Sequence, residues 1–282
     1  MTTTLRPAGP ERREQDGARS RQFTVCVNGR PVGSVRIGAD PRGGPGRIDA
    51  LAIDEPDRRR GRGAVAALAA EEVLRQWGCT RVLVSVPDGA PYALRLAAAL
   101  GYTETNRTLH KDLPADTAPS APPAAASHDL PPGSVLRELT LQDSADWLAR
   151  QRAGFVAALT AAGVPAEQAE AHAAASYALA FPGGTPAPGS ALLALDHDGT
   201  TVGRLWLHTA PGPGWVQAVE VTASHRGRGH GRTLMLAAES ACRAAGTTAL
   251  ALNVFTANEV AIRLYTSLGY RTTLRQLWKP LG

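Results

Sequence analysis

At 282 residues the chain suits two modest domains better than one, and with 44% hydrophobic and 20% charged residues it is globular and alanine-rich. A formal charge of +5 favours an anionic ligand, but the arginines are scattered with no aromatic residues interleaved, so no nucleic-acid stacking platform is expected. Cys26, Cys79 and Cys242 are isolated and odd in number, which argues against a disulfide framework or a zinc site, and no metal is expected.

Residues 1–20 are polar and rich in Arg, Glu, Gly and Pro, without the apolar stretch of a signal peptide, and read as a disordered arm. No apolar run is long enough to span a bilayer, so a cytoplasmic protein with no membrane partner is expected. A hairpin turns at Asn28-Gly29, and Ile48–Ile53 reads as a strand, followed by further helices and strands to residue 113. Pro114 to Gly133 (PADTAPSAPPAAASHDLPPG) is a Pro/Ala linker between residues 21–113 and 134–282.

Beyond it, Ser134–Leu141 reads as a strand, and alanine-rich helices cover about 144–162 and 166–180, separated by Gly163-Val164-Pro165. Ser190–Asp196 and Thr201–His208 flank an Asp198-Gly199 turn, and Trp215–Val221 is a third strand. Gly229–Ala245 is a helix stopped by Gly246. Ala249–Val254 is a buried-type strand, Asn258–Leu268 a helix stopped by Gly269, and Tyr270–Trp278 the last strand.

The two parts repeat one another. Arg58, Gly61 and Gly63 lie 168 positions before Arg226, Gly229 and Gly231. The same offset relates Gly78 to Gly246, Arg95-Leu96 to Arg263-Leu264, Gly101-Tyr102 to Gly269-Tyr270, and Lys111 to Lys279. Shared composition does not produce glycine and aromatic punctuation in a gapless register. The fold is duplicated, and the first copy is expected to be truncated, because residues before 21 leave no room for a strand and two helices.

The chemistry concentrates between the strand at 215–221 and the helix at 229–245. Arg226-Gly227-Arg228-Gly229-His230-Gly231 places glycines where main chain can approach a ligand, and aims free N–H groups outward from a helix start. With Arg226, Arg228 and Arg232 nearby, such a turn suits a pyrophosphate. It is neither a Walker A loop nor a GxGxxG dinucleotide fingerprint.

Arg226, Gly229 and Gly231 fit R/Q-x-x-G-x-G/A, and Asn258, Ala261, Leu264 and Tyr265 fit Asn-x-x-Ala-x-x-Leu-Tyr. In this order the two motifs resemble the signatures of the GNAT superfamily of acetyltransferases, over residues 134–282 and more weakly over 21–113. The resemblance implies two α/β (α+β) domains, each a mixed, mostly antiparallel sheet splayed into a V and flanked by helices, with acetyl-CoA entering where two central strands diverge. It implies that Val221, Thr222 and Ala223 lie along the pantetheine arm, and that positions 226–232 (Arg226, Gly227, Arg228, Gly229, His230, Gly231, Arg232) hold the pyrophosphate. It also brings Asn253, Asn258, Ala261 and Tyr265 to the cofactor.

Tyr265 then stands beside the sulfur as a general acid, or is simply a core aromatic. Asn258 is a cofactor contact or an N-cap. Asn253 can also orient substrate or a water relay. An amine of pKa near ~10.4 is mostly ammonium at neutral pH, so a base is required. Glu220, between Val219 and Val221 and pointing away from both, is the candidate, or else an edge or surface glutamate. His225 and His230 are expected to face solvent or phosphate rather than act as bases. Glu167, Glu170, His172 and Tyr177 either line the acceptor cleft or are solvated helix residues.

The first copy has Ala52, Ser85, Ala90 and Ala97 at the places of Glu220, Asn253, Asn258 and Tyr265, and is expected to be non-catalytic. The leading expectation is acetyl transfer from acetyl-CoA to a primary amine of a small molecule, by direct attack in a ternary complex. Two other readings stay open: acylation of a protein or peptide amine, and a CoA-binding module without catalysis. A monomer with an internal pseudo-dimer and a homodimer are both compatible with the duplication.

Overall fold

The computed structural model describes residues 2–15, 17–40, 45–114, 130–209 and 212–282, so most of the expected linker (115–129) lies outside the described residues. In chain order the elements begin β1 (Thr3–Pro7), β2 (Arg12–Arg13), β3 (Arg19–Val27), β4 (Arg30–Ala39), β5 (Gly46–Ile53), α1 (Arg62–Gln76), β6 (Arg81–Pro87), α2 (Pro91–Ala99) and β7 (Thr103–Asp112). They continue as β8 (Ser134–Glu138), α3 (Leu141–Ala161), α4 (Ala166–Ala180), β9 (Ser190–His197), β10 (Thr200–His208), β11 (Gly214–Val221), α5 (His230–Ala244), β12 (Ala249–Phe255), α6 (Glu259–Ser267) and β13 (Arg271–Pro280). From β5 to β7 every element recurs 168 residues later with identical bounds, from β11 to β13. Among the described residues no helix is long and apolar enough to cross a membrane.

The chain forms two units, Met1–Arg107 with Thr273–Gly282, and Thr108–Thr272. This corrects a division at the linker. The end of β13 pairs antiparallel with β6, Leu274 opposite Pro87 through Pro280 opposite Arg81, and Leu277 is buried in the first unit's core. Conversely, Leu109 and Leu113 are buried in the second unit's core, and Leu113 N–H donates to the Thr248 carbonyl at 2.7 Å. The last strands of the two copies are repeats of each other, so either suits either sheet, and hydrophobic periodicity does not say which sheet a strand joins.

In the first unit β1, β3, β4 and β5 pair antiparallel in that order, and β5 pairs parallel with β6. The pairing of Thr3–Pro7 with Phe23–Val27 overturns the expectation of a disordered arm. The polar composition there conceals one apolar residue, Leu5, that packs against the core. β1 is thus the counterpart of β8, and among the described residues the first copy lacks the helix pair α3–α4. Both expected turns form, with Asn28-Gly29 (φ 48° and 85°) and Asp198-Gly199 (φ 48° and 75°) in the left-handed region that two-residue hairpins require.

In the second unit β8, β9, β10 and β11 are antiparallel neighbours, and β11 runs parallel to β12. α5 buries Leu234, Met235, Ala238, Ala241 and Cys242, spaced by three and four residues, against one face of this sheet. α3 and α4 cover part of the other, where Trp147, Leu192 and Trp206 form a separate buried cluster.

The chain's two lysines occupy equivalent half-buried positions, each against a buried glutamate. Lys279 Nζ lies 2.7 Å from Glu71, whose carboxylate also accepts from the Tyr102 hydroxyl at 2.9 Å. Lys111 Nζ donates to both oxygens of Glu239 at 2.7 Å, with its ammonium 5.6 Å from the Tyr270 ring centre.

Candidate active site

β11 and β12 pair over Gly214–Val216 and Leu250–Leu252 and then part, among the described residues. The divergence begins at a β-bulge: Ala218 opposes Trp206 and Val216 opposes Leu207, so Gln217 is the extra residue. β5 and β6 part at the same place, with Asp49 as the extra residue. Past the bulge, Ala218–Val221 pairs with β10 along one edge and faces the opening with the other. This is the expected splay.

At the mouth of the opening Gly227 and Gly229 adopt φ of 76° and 88°, and Gly229 is the N-cap of α5 with no side chain capping it. The amides of His230, Gly231 and Arg232, in the first turn, therefore have no intrahelical acceptor, and they carry the positive end of the helix dipole. A side chain at Gly231 would begin 3.2 Å from Leu264, so the turn lies close against α6. Arg226 Nε donates to the Val221 carbonyl at 3.2 Å and braces the loop, as Arg58 does to Ile53 at 2.8 Å in the first unit. Arg232 is tied to Ser267 Oγ at 2.6 Å, and Arg228 is exposed. Thr222 is half-buried and Ala223 exposed. Backbone amides, exposed arginine and an unpaired strand edge fit the diphosphate and amide arm of a CoA ester.

In the first unit Arg59 stands where Gly227 stands here, and is held at φ 56°. A non-glycine residue there is strained by about 1 kcal/mol, so Arg59→Gly is expected to stabilise the first unit by about 0.5–1 kcal/mol in chemical denaturation. An unchanged or lowered midpoint would contradict the strain.

Glu220 is half-buried on the face opposite Val219 and Val221, and its Oε2 accepts from Gln151 Nε2 of α3 at 2.7 Å. The alternation of the strand was legible; the partner on α3 was not. One turn on from Gln151, Phe155 lies 5.7 Å from His172 of α4 and 6.4 Å from Phe255 at the end of β12. Sequence reading passed over both phenylalanines, because an isolated aromatic in an alanine-rich helix carries no chemical signal. Tyr177, by contrast, is not a cleft residue: it packs on Trp206 and donates to the Leu148 carbonyl at 3.1 Å. Glu167 and Glu170 are exposed on α4, with Glu170 paired to Arg152 at 3.0 Å.

Tyr265 lies in the apolar cluster under α5, 6% exposed and edge-on to Tyr270, and burial pushes its hydroxyl up to about 12. Asn258 caps α6, its side chain accepting from the Ala261 amide at 3.2 Å, which satisfies the N-cap reading. Asn253 is exposed on β12 between buried Leu252 and Val254. His230 departs from expectation. Its ring is buried, with its centre 5.1 Å from that of His197 and 6.4 Å from that of His225. Burial first, then the neighbouring His197, His225 and Arg228, hold it below the usual imidazole range. A helix N1 side chain folds back beside the helix, a direction that loop composition does not disclose.

A splayed strand pair closed by an amide-lined helix turn, with a carboxylate on the inner strand, defines a site for an acyl-CoA-dependent transferase. The family model "Acetyltransferase (GNAT) family" matches residues 3–102 and 146–270, and the chain belongs to that family. It is an acetyl-CoA-dependent acetyltransferase with two such domains. It is 32% identical over 244 residues to a mycothiol acetyltransferase of Sanguibacter keddieii, covering 81% of this chain and 72% of the relative. To a mycothiol acetyltransferase of Thermomonospora curvata it is 30% identical over 262 residues, covering 89% and 79%. Among solved structures, a tandem GNAT protein from the clavulanic acid biosynthesis pathway, solved without AcCoA, superposes with a TM-score of 0.51 at 22% identity, over 94% of this chain and 84% of that one.

Proposed function

We propose that the second unit transfers the acetyl group to a primary amine of a small molecule by direct attack in a ternary complex, and that the first unit is non-catalytic. The observation that carries this reading is that one strand, β11, bears both the unpaired edge leading to the glycine turn and, on its α3 side, Glu220. The relatives called mycothiol acetyltransferase support a small-molecule acceptor.

Bound at the turn, acetyl-CoA supplies the thioester carbonyl. The amides of His230, Gly231 and Arg232 and the exposed Arg228 hold its phosphates. Glu220, oriented by Gln151, takes a proton from the substrate ammonium so that a lone pair is free to attack. Tyr265 gives a proton to the departing sulfur. Nitrogen sheds two protons in all, one from the ammonium to Glu220 and then to solvent, and one as the tetrahedral adduct collapses to the amide; the second replaces the proton that Tyr265 gives to sulfur. No cysteine lies in either motif, which disfavours an acyl-enzyme.

Melting with and without acetyl-CoA, combined with thiol release over a panel of amines, tests the reading. A melting shift without thiol release from any amine would leave a binding module. Tyr265→Phe is expected to lower kcat by about 10²-fold while leaving the KM for acetyl-CoA unchanged. Because burial raises the Tyr265 pKa to about 12, its hydroxyl stays protonated as pH rises through 10, and it should set no alkaline limb in the wild-type profile below that point. A Tyr265→Phe enzyme with wild-type kcat would leave Tyr265 as core packing alone.

A further inference from the structure

Three imidazoles gather at the start of α5. The centre of the His230 ring lies 5.1 Å from that of His197, at the end of β9, and 6.4 Å from that of His225, in the turn before the helix. His230 is buried, and His197 and His225 are half-buried. Ser134 Oγ lies 2.9 Å from His197 Nδ1, and Ser224 Oγ lies 3.0 Å from His225 Nδ1. A hydroxyl serves an imidazole in either protonation state, donating to the bare nitrogen or accepting from the protonated one. The charged groups around the trio are Arg228 and Asp198, both exposed, with Asp198 3.6 Å from His197 Nε2. Arg226 and Arg232, on the same turn, are tied to the Val221 carbonyl and to Ser267 Oγ. Among the described residues no buried carboxylate meets a charge on His230, which would lie at the positive end of the helix.

The first unit supplies the contrast. Asp57 and Arg62, 168 positions earlier, stand in the places of His225 and His230. Both are buried and paired with each other, and Asp57 also accepts from Arg30 at 2.8 Å. Val27, opposite Thr3 as His197 is opposite Ser134, fills the third place. At that helix start the charge is permanent and already cancelled. In the second unit it is titratable and lacks such a partner, so a bound anion would supply what Asp57 supplies in the first.

We propose that the trio is a proton-binding part of the cofactor site: acetyl-CoA binds together with about one proton taken up from solvent, and the imidazolium so formed offsets part of the diphosphate charge. This rests on the reading that the diphosphate is held at the glycine turn of the second unit, where the first helical amide is that of His230 itself. In the free protein burial first, and then the neighbouring His197, His225 and Arg228, hold His230 below the usual imidazole range, and an anion raises it. Affinity for the cofactor therefore increases as pH falls through the interval between the two values, and is level on either side of it. The proton stays on the enzyme through the reaction, because CoA keeps the diphosphate that acetyl-CoA brought.

The test is calorimetric titration without acceptor, near about pH 6.5, in two buffers of different ionisation enthalpy, which counts the protons taken up on binding. The ligand is acetyl-dephospho-CoA, since the 3′-phosphate of acetyl-CoA itself titrates near ~6 and would add its own protons. Wild type is expected to take up about 0.5 proton, and His230→Asn less than about 0.1. The first unit contains no histidine, so imidazole uptake reports the second. His225→Asn should lower the uptake in part, and it serves if His230→Asn does not fold. Wild type should also bind about fivefold tighter at pH 5.5 than at pH 7.5, and His230→Asn about equally at both. Binding by wild type with no proton uptake, or the same uptake in the folded variants, overturns this inference alone. No binding by wild type, or binding that Arg228→Glu leaves unchanged, overturns the turn as the diphosphate site, and this inference with it.

Discussion

Glu220→Gln is expected to lower kcat about 10³-fold near neutral pH with little change in stability or in acetyl-CoA affinity. Glutamine has the shape of glutamate and can still accept from Gln151 Nε2, now at 2.7 Å, so the strand and α3 keep their contact. What is lost is the capacity to hold a proton. The deficit should therefore shrink as pH rises toward the pKa of the amine, because the acceptor then arrives already deprotonated. Parallel pH–rate profiles of the two enzymes over pH 6–10 check this. A loss below about tenfold, or a deficit that stays constant with pH, would assign Glu220 a role in positioning rather than in proton transfer.

The second large effect is on stability. Lys279→Met should destabilise the first unit by about 2–3 kcal/mol, because it strands Glu71, whose side chain is only 7% exposed. The figure lies below that for a fully enclosed pair, since Lys279 keeps 22% of its side-chain surface. Adding Glu71→Gln to Lys279→Met should recover most of the loss, because the enclosed charge is removed while the amide oxygen still accepts from the Tyr102 hydroxyl. Lys111→Met should act in the same way on the second unit, through Glu239. Chemical denaturation of the single and double variants measures both. Unchanged midpoints would mean that the ion pairs contribute nothing beyond their solvated equivalents.

Much of the architecture was legible because the repeat was. Glycines at 61, 78 and 101 and their partners 168 residues later mark helix starts and stops, and the two Gly-containing hairpin turns fall where the strands reverse. The glycine turn before α5 was readable because its geometry needs glycine at the two positions of positive φ, 227 and 229. Two features were not legible, each for a physical reason. β1 was hidden because a short edge strand with one apolar residue has too little periodicity to stand out. The burial of His230 depended on the direction a side chain takes at a helix start. Tyr265 sits between these cases, since the motif marked it and the fold buried it.

The reciprocal placement of Thr108–Asp112 and Thr273–Pro280 bears on how the protein is made. Domains ordinarily fold one after another as translation proceeds, the earlier one first. Here the sheet begun by residue 3 lacks its edge until codon 280 has been read, so a nascent intermediate waits on the ribosome with the side of β6 bare. Chaperone dependence, and failure of the first 113 residues to accumulate as a folded fragment, are the costs such an order of assembly imposes.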